Sequence, residues 1–222
     1  MSNKIIELDV VESTQIYIKE NLENWNLFDS CFAKIQTNGY GRTGNWNSQF
    51  ENLYFSKLLA ADKYNHLTAI CSMHMLASKY AEDIEIKVPN DLYYRGKKLG
   101  GFIIENTDEY AILGIGININ GAPEEFTSLS NITNNRYQVD QLAAELDELI
   151  NMNLTMSTKM LEDYYKQNCK IIGTYVEYLE LTSGDKFSGI VTDLDSDSIT
   201  IDGLMFNQTA IKILNKDLSV NR

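Results

Sequence analysis

The sequence has few of the residues that build metal centres, disulfide frameworks or catalytic triads. It contains three cysteines, Cys31, Cys71 and Cys169, and none of them forms a C-x-x-C pair. Its two histidines, His66 and His74, are eight residues apart, beyond the i,i+4 spacing of a helical metal pair. We therefore expect three reduced thiols, no transition-metal site and no Ser-His-Asp triad.

Basic residues and long apolar runs are also scarce. The chain has 19 Lys and Arg against 31 Asp and Glu, a formal net charge of −12. Nucleic acids and anionic membranes bind proteins with an excess of Lys and Arg, so neither is expected as a partner. No run approaches the roughly 18 apolar residues of a membrane span, and the start, MSNKIIELDV, lacks the pattern of a signal peptide. We expect a cytoplasmic protein.

The remaining composition is that of a packed globular protein, and the sequence pattern changes to short β-prone runs near the end of the chain. At 222 residues with 44% hydrophobic residues, the chain suits one sizeable domain and a small one. From residue 174 to 214, short β-prone runs alternate with turn signals about every 8–12 residues, which is typical of a small barrel or sheet. We predict a boundary near Ile172, giving a catalytic domain over 1–172 and a small barrel over 173–222 with a frayed tail over 216–222.

The first domain alternates β-prone and helical patterns. Hydrophobic periodicity predicts helices over 14–21, 67–80, 139–150 and 155–170, and strands over 4–10, 31–37, 52–59, 83–88, 101–105 and 110–117. Ser13 or Thr14 is expected to cap the first helix through its hydroxyl. Asp147 is expected on the solvent face of the helix over 139–150. The polar segment 121–135 is predicted to be a surface loop.

Three stretches carry residues suited to phosphate chemistry: QTNGYGRTGNWNS (36–48), KVPNDLYYRGKKLGG (87–101) and ILGIGININ (112–120). Gly39, Gly41 and Gly44 allow a backbone to approach phosphate closely. Arg42 adds a guanidinium group, whose forked geometry suits phosphate, and Lys98 adds a compact ammonium group. Together the stretches resemble the active site of biotin protein ligases, in register from about Val11 to Asn120.

This resemblance implies an α+β fold: a mixed β-sheet with helices on one face, like class II aminoacyl-tRNA synthetases and biotin–lipoyl ligases, then a small SH3-like β-barrel. It implies an ATP-dependent ligase that activates biotin as biotinyl-5′-AMP and transfers it to a specific lysine of a biotin carboxyl carrier protein domain. Biotin and ATP would be the substrates, with Mg²⁺ as the metal. The enzyme would be a monomer or a homodimer.

The resemblance also assigns site residues. The catalytic pair would be Lys98 and Arg42. The biotin pocket would comprise Ser13, Thr14, Gln36, Gly39, Gly41, Lys98, Gly100, Gly101, Gly114 and Gly116. ATP and the adenylate would be bound by Arg42, Thr43, Trp46, Lys87, Asn90, Asp91, Lys98 and Asn118, with Asp91 as a candidate Mg²⁺ ligand.

The glycine-rich stretch departs from the family pattern, which is close to GRGRRGRxW. Tyr40 and Thr43 stand where arginines are usual, and only Asn45 lies between Gly44 and Trp46, one residue fewer than expected. Weaker retention of the adenylate is therefore expected, within the same reaction class.

Two alternatives remain open. A lipoate or octanoate ligase shares this chemistry but would need a linear acyl tunnel instead of a floor at Gly100 and Gly101. A biotin-sensing transcription repressor would carry a winged-helix domain ahead of the ligase. Because the first predicted strand begins at Lys4 and the charge is acidic, the sequence disfavours the repressor.

Overall fold

The computed structural model describes residues 4–41, 44–46 and 51–217, with the backbone alone for 215–217. In chain order the elements are β1 (Ile5–Val11), α1 (Thr14–Glu20), a 3₁₀ turn (Leu22–Asn24), β2 (Ser30–Gln36), β3 (Gly39–Gly41), β4 (Gly44–Trp46), β5 (Leu53–Ala60), α2 (Asn65–Ser78), β6 (Ile84–Lys87), β7 (Asp91–Tyr94), β8 (Lys97–Asn106), β9 (Tyr110–Ile117), α3 (Leu129–Thr133), α4 (Val139–Asn153), α5 (Thr158–Cys169), β10 (Tyr175–Glu180), β11 (Lys186–Leu194), β12 (Ser198–Ile201), β13 (Leu204–Asn207) and β14 (Ile211–Asp217).

The centre of the molecule is a seven-stranded mixed sheet in the order β1-β2-β5-β9-β8-β7-β6. β1 pairs with β2 in parallel, and every other neighbouring pair in this sheet is antiparallel. The predicted α+β class with a mixed sheet is thereby confirmed. All six strands predicted for this part of the chain are present, with ends shifted by a few residues.

The two faces of the sheet carry different clusters. The larger one, which we call the main cluster, includes Phe55, Leu113 and Ile117 from the strands and apolar residues of α2, α4 and α5. On alternate positions of the same strands, Cys31, Leu58 and Ile112 pack with Ile18 of α1 and with Trp25 in a second cluster. The expectation that helices cover only one face is therefore wrong for α1, which packs on the opposite face.

β7 is a strand that the sequence patterns did not predict. Arg95 and Gly96 both have positive φ, 47° and 81°, and they join Tyr94 to its strand partner Lys97. This is the geometry of a two-residue hairpin turn, which glycine favours. The hairpin makes β8 begin at Lys97, earlier than predicted, so Lys98 lies on a strand and not in a loop.

The predicted surface loop over 121–135 is wrong in part, because it contains α3. The Ser128 hydroxyl accepts a hydrogen bond from the Asn131 backbone N–H at 3.2 Å and so caps the helix. Leu129, the first residue of α3, is fully buried in the main cluster. A single buried leucine thus anchors a segment whose polar composition is typical of a loop.

Asp147 is buried on α4, so its predicted place on the solvent face is wrong. Its Oδ1 accepts from the Lys57 ammonium at 2.6 Å and from the Ser30 hydroxyl at 2.8 Å. The Lys57 side chain is fully buried and also donates to the Phe28 carbonyl at 2.7 Å. Burial lowers the pKa of Lys57, and the contact with Asp147 opposes that shift. This ion pair joins the centre of the sheet to α4.

After α5, the chain forms a five-stranded antiparallel sheet in the order β13-β12-β11-β10-β14. Its topology is consistent with the predicted SH3-like barrel, although the order is open. Its apolar side continues the main cluster, and the buried Tyr165 hydroxyl of α5 donates to Gln208 at 2.8 Å. The boundary near Ile172 stays a prediction.

The predicted frayed tail is wrong at its start, because β14 includes residues 216 and 217. The remaining residues, 218–222, lie outside the described part. Cys31, Cys71 and Cys169 are buried, and none of the three forms a disulfide within the described residues. Across the described ranges, none of the helices combines the length and the apolar character needed to cross a membrane.

Candidate active site

A surface of bare backbone lies on the α1 side of the sheet, where β8 and β9 pair. Gly101 and Gly116 are strand partners, and Gly114 is two residues along β9 on the same face. A Cβ at Gly116 would lie 3.0 Å from the indole of Trp46, and one at Gly101 would lie 2.6 Å from Asp91 Oδ1. We call Gly101, Gly114 and Gly116 the glycine floor. The ring of Trp46 contacts the backbone directly there, and the Gln15 side chain covers Gly114.

Gly100 does not belong to this surface. Its strand partner is Ile117, and a Cβ at Gly100 would lie 2.7 Å from the Gly116 carbonyl oxygen. Since side chains alternate along a strand, Gly100 faces the helix-covered core and Gly101 faces the open side. The structure therefore brings only one residue of the predicted glycine pair to the floor.

Lys98 stands at the edge of the glycine floor. Its Nζ lies 2.7 Å from Asp91 Oδ1 and 5.2 Å from the centre of the Trp46 ring. Asp91 Oδ1 is buried and makes no directed hydrogen bond among the described residues, so this contact is an ion pair only. The Lys98 side chain is 23% exposed, enough to reach an anion placed on the floor.

Lys87 is half-buried close to this ion pair. It is the strand partner of Asp91, and its Nζ lies 4.6 Å from the centre of the Tyr93 ring. Burial lowers the pKa of Lys87, the Asp91 charge opposes the shift, and the charges of Lys212 and Lys98 add to it. The ammonium groups of Lys87, Lys98 and Lys212 of β14 thus raise the electrostatic potential around Asp91. A positive potential there favours the binding of anionic groups.

Asn90 and Asn118, which were predicted to contact a nucleotide, both hydrogen-bond to backbone carbonyls beside the site. The Asn90 side-chain amide donates to the Phe102 carbonyl at 2.7 Å. The buried Asn118 donates to the Thr127 carbonyl at 3.0 Å and accepts from Asn52 at 3.4 Å. These bonds give both residues a structural role, and their contact with a nucleotide stays a prediction.

The polar end of the site is built where α1 meets β2. Gln36 Oε1 accepts from the Thr14 backbone N–H at 2.8 Å and from the Thr14 hydroxyl at 3.1 Å. Gln36 therefore satisfies the first free N–H of α1. The expected hydroxyl cap from Ser13 is absent, although Ser13 occupies the cap position and is buried. Gly39 packs against Gln36, since a Cβ there would lie 2.5 Å from Gln36 Nε2.

Two polar residues beside this end were not predicted. Ser56 on β5 is fully buried, and its hydroxyl lies 2.7 Å from the Thr14 hydroxyl. Gln15 is 4% exposed, and its side chain occupies the space above Gly114. A serine inside the apolar run LYFSKLLA was the available signal for Ser56. Gln15 gave no signal, because its position over the floor depends on how α1 packs.

The described residues of the glycine-rich stretch form a short hairpin, β3 with β4, in which Gly39 pairs with Trp46. Among the described residues, a Cβ at Gly41 would meet only the Gly44 carbonyl, at 3.5 Å, and one at Gly44 would have no neighbour within 4 Å. Packing among the described residues thus explains the glycine at 39 but not those at 41 and 44. The predicted site residues Arg42 and Thr43 lie outside the described residues.

No group of three or more His, Cys, Asp or Glu side chains that could hold a metal occurs in the ranges 4–41, 44–46 and 51–217. One carboxylate, Asp91, is available beside the floor.

The model of the biotin/lipoate A/B protein ligase family matches residues 7–121. The chain is similar to the bifunctional ligase/repressor BirA of Escherichia coli, with 32% identity over 50% of this chain and 39% of the relative. It is also similar to the biotin–[acetyl-CoA-carboxylase] ligase of Mycobacterium tuberculosis, with 33% identity over 50% of this chain and 44% of the relative. The chain thus spans less than half the length of these two curated relatives.

Among solved structures, the fold is similar to the biotin protein ligase from Aquifex aeolicus in complex with biotin and ATP. The TM-score is 0.77 at 28% identity, and the match covers 96% of each chain. The similarity therefore extends through the five-stranded sheet at the end of the chain.

Proposed function

The chain belongs to the biotin/lipoate A/B protein ligase family, and we propose that it is an ATP-dependent ligase that activates biotin as biotinyl-5′-AMP and then transfers the biotinyl group to a lysine of a biotin carboxyl carrier protein domain. The observation that carries this proposal is the position of Lys98 beside the glycine floor. A cation and a bare backbone surface within one site suit a flat ring system bearing a carboxylate.

In the first step a biotin carboxylate oxygen attacks the α-phosphorus of ATP, and pyrophosphate leaves. Two unit charges about 4 Å apart repel by about 4 kcal/mol at an effective dielectric near 20, so local cations must offset this repulsion. Lys98 is placed to do so, and its ammonium can contact both anions. Lys87 adds to the positive potential from the neighbouring strand. Arg42 is proposed as the second catalytic cation.

In the second step the amine of the carrier lysine attacks the acyl carbon of the adenylate. AMP leaves, and the amine loses a proton as the amide forms. Trp46 lies over Gly116 and is proposed to shield the adenylate from water and to cover its adenine. Thr14, Gln36 and Ser13 are proposed to hydrogen-bond the polar ring of biotin, at the end of the site opposite Lys98.

Asp91 is the residue that we propose would help to hold Mg²⁺. Mg²⁺ in nucleotide sites is commonly bound by one or two carboxylates together with substrate phosphates and water. Asp91 Oδ1 is buried without a directed hydrogen bond, which fits such a ligand. When bound, the ion would neutralise phosphate charge, with the Asp91 carboxylate as its ligand from the protein.

Biotin-dependent ATP–pyrophosphate exchange tests the function and separates it from lipoate activation. A site that hydrogen-bonds a substrate group rejects analogues that lack the group by up to about 10⁴-fold, so we expect kcat/KM for biotin to exceed that for lipoate at least about 100-fold. Biotin methyl ester, which lacks the free carboxylate, is the control and should support no exchange. Equal exchange with lipoate would instead establish the alternative ligase.

We propose that the carrier is a biotin-dependent carboxylase domain and that the reaction takes place in the cytosol, where cysteines such as Cys31, Cys71 and Cys169 stay reduced. We also propose that the residues from 173 onward form a second domain that contributes to the nucleotide site. This proposal is supported by the charge of Lys212 on β14, which acts on Lys87.

Lys212→Ala should raise the KM for ATP by a few-fold and leave the stability of the fold unchanged. Lys212 is exposed, and an exposed charge contributes up to about 1 kcal/mol, which corresponds to about 5-fold. The effect should shrink as salt is added. Lys186→Ala, an exposed lysine on β11 of the same sheet, is the matched control and should behave as wild type. Equal KM values for both variants would exclude a contribution of β14.

A further inference from the structure

Tyr40 is fixed to the main sheet by a contact that its position in a glycine-rich stretch does not suggest. Its hydroxyl donates a hydrogen bond to Glu105 Oε1 on β8. Burial raises the pKa of Tyr40, and the contact with Glu105 raises it further, so the hydroxyl stays protonated and can donate. The contact joins residues 65 positions apart in the chain.

Glu105 is the centre of a four-residue group, Gln15, Lys19, Tyr40 and Glu105, which we call the Glu105 cluster. Lys19 of α1 forms an ion pair with Glu105 Oε2, and Gln15 of α1 donates to Glu105 Oε1 at 3.1 Å. Lys19 Nζ also lies 3.4 Å from the Tyr40 hydroxyl and 5.8 Å from the centre of its ring. Three elements, α1, β3 and β8, therefore meet at one carboxylate.

The Glu105 cluster is connected to both β3 and β4. Tyr40 pairs with Asn45, and Gly39 pairs with Trp46, so β4 follows β3 through the ladder. Gly39 in turn packs against Gln36 and against the Trp46 carbonyl, at 2.5 and 2.8 Å from its Cβ position. Trp46 then lies on Gly116 and beside Lys98. A continuous set of contacts thus runs from Glu105 to the glycine floor.

We propose that Tyr40 is a positioning residue: through its hydroxyl on Glu105 it holds β3 on the sheet, and it thereby places Trp46 over the glycine floor before any substrate binds. Tyr40 stands where related ligases usually have arginine. An arginine would add a charge at this position, whereas the tyrosine adds a hydrogen bond within the protein. The conformational entropy that ordering β3 requires is then lost during folding. It no longer opposes substrate binding.

Amide hydrogen exchange in the ligand-free protein tests the structural part of this proposal. Tyr40→Phe removes only the hydroxyl, and we expect the amides of Tyr40, Gly41 and Asn45 to exchange about 10-fold faster, because a hydrogen bond to a charged acceptor is lost. Glu105→Gln added to Tyr40→Phe should change this exchange little further, since the two residues act through one contact. Unchanged exchange in Tyr40→Phe, or additive effects, would overturn the proposal.

The functional part rests on the proposed function and is read from kinetics. Tyr40→Phe should raise the KM for biotin about 10-fold and leave kcat within about 2-fold, since a site that is only partly formed weakens binding in proportion to its population. A general loss of stability would lower the amount of active protein and would not change KM. A wild-type KM together with wild-type exchange would exclude the positioning role.

Tyr175→Phe is the matched control, because it removes an exposed hydroxyl that donates to Ser188 at 2.7 Å in the five-stranded sheet. It should leave both exchange at β3 and the biotin KM unchanged. If the wild-type protein does not respond to biotin but Tyr40→Phe still accelerates exchange, the proposed substrate is wrong and the contact to Glu105 stands. The two failures are therefore distinguishable.

Discussion

Lys98→Ala should lower biotin-dependent ATP–pyrophosphate exchange by about 10²–10³-fold, the effect expected when a preorganised charge is removed from a developing transition state. The ammonium lies beside the glycine floor, where the carboxylate and the α-phosphate must meet. The fold should persist, because both side chains of the Lys98–Asp91 pair reach water, at 23% and 22% exposed, and removing the lysine side chain lets water solvate the Asp91 carboxylate. Thermal unfolding measured beside the exchange assay separates activity from stability.

The neighbouring lysine provides a matched control for this experiment. Lys97 is exposed, and its Nζ donates to the Glu124 carbonyl at 2.7 Å, away from the floor. Lys97→Ala should therefore keep near-normal exchange. Equal loss of activity in both variants would mean that the overall positive charge of this region matters and not the position of Lys98. Unchanged activity in both would mean that Lys98 has no role in adenylation.

Lys57→Met should reduce the free energy of unfolding by about 3–5 kcal/mol, because the Asp147 carboxylate would remain buried without its counter-charge. The methionine replaces the aliphatic part of a side chain that is fully buried, so lost packing contributes little. Asp147 would keep the Ser30 hydroxyl and the Asn151 amide, at 2.8 and 2.9 Å, but no cation. Urea denaturation followed by circular dichroism measures the change.

Two comparisons make this result specific to the buried pair. Lys159→Met breaks an ion pair with Asp163 at 3.1 Å on α5, where both side chains are exposed, and should cost less than about 0.5 kcal/mol. Adding Asp147→Leu to Lys57→Met should recover part of the lost stability, since the unpaired charge is then removed. Equal losses for Lys57→Met and Lys159→Met would mean that burial of the pair has no energetic consequence.

Local sequence patterns were enough to predict most elements of the first domain and the type of site to look for. Strand and helix periodicity in the first domain depends on local alternation, and those patterns predicted six strands and the long helices α2, α4 and α5. The lysine and glycine patterns of 87–101 and 112–120 predicted a site in which a cation lies beside bare backbone. Such patterns can be recognised without tertiary structure, because each depends on residues close together in the chain.

Which side chains come into contact depends on the tertiary structure. Gly100 and Gly101 look equivalent in the sequence, but the pairing of β8 with β9 places them on opposite faces. Asp147 follows the pattern of an exposed helical carboxylate, yet Lys57, 90 residues away, makes it part of the core. Tyr40 likewise acquires its role from Glu105, 65 residues away. Contacts between residues so far apart in the chain depend on how the sheet and the helices pack on each other. Local sequence patterns do not contain that information.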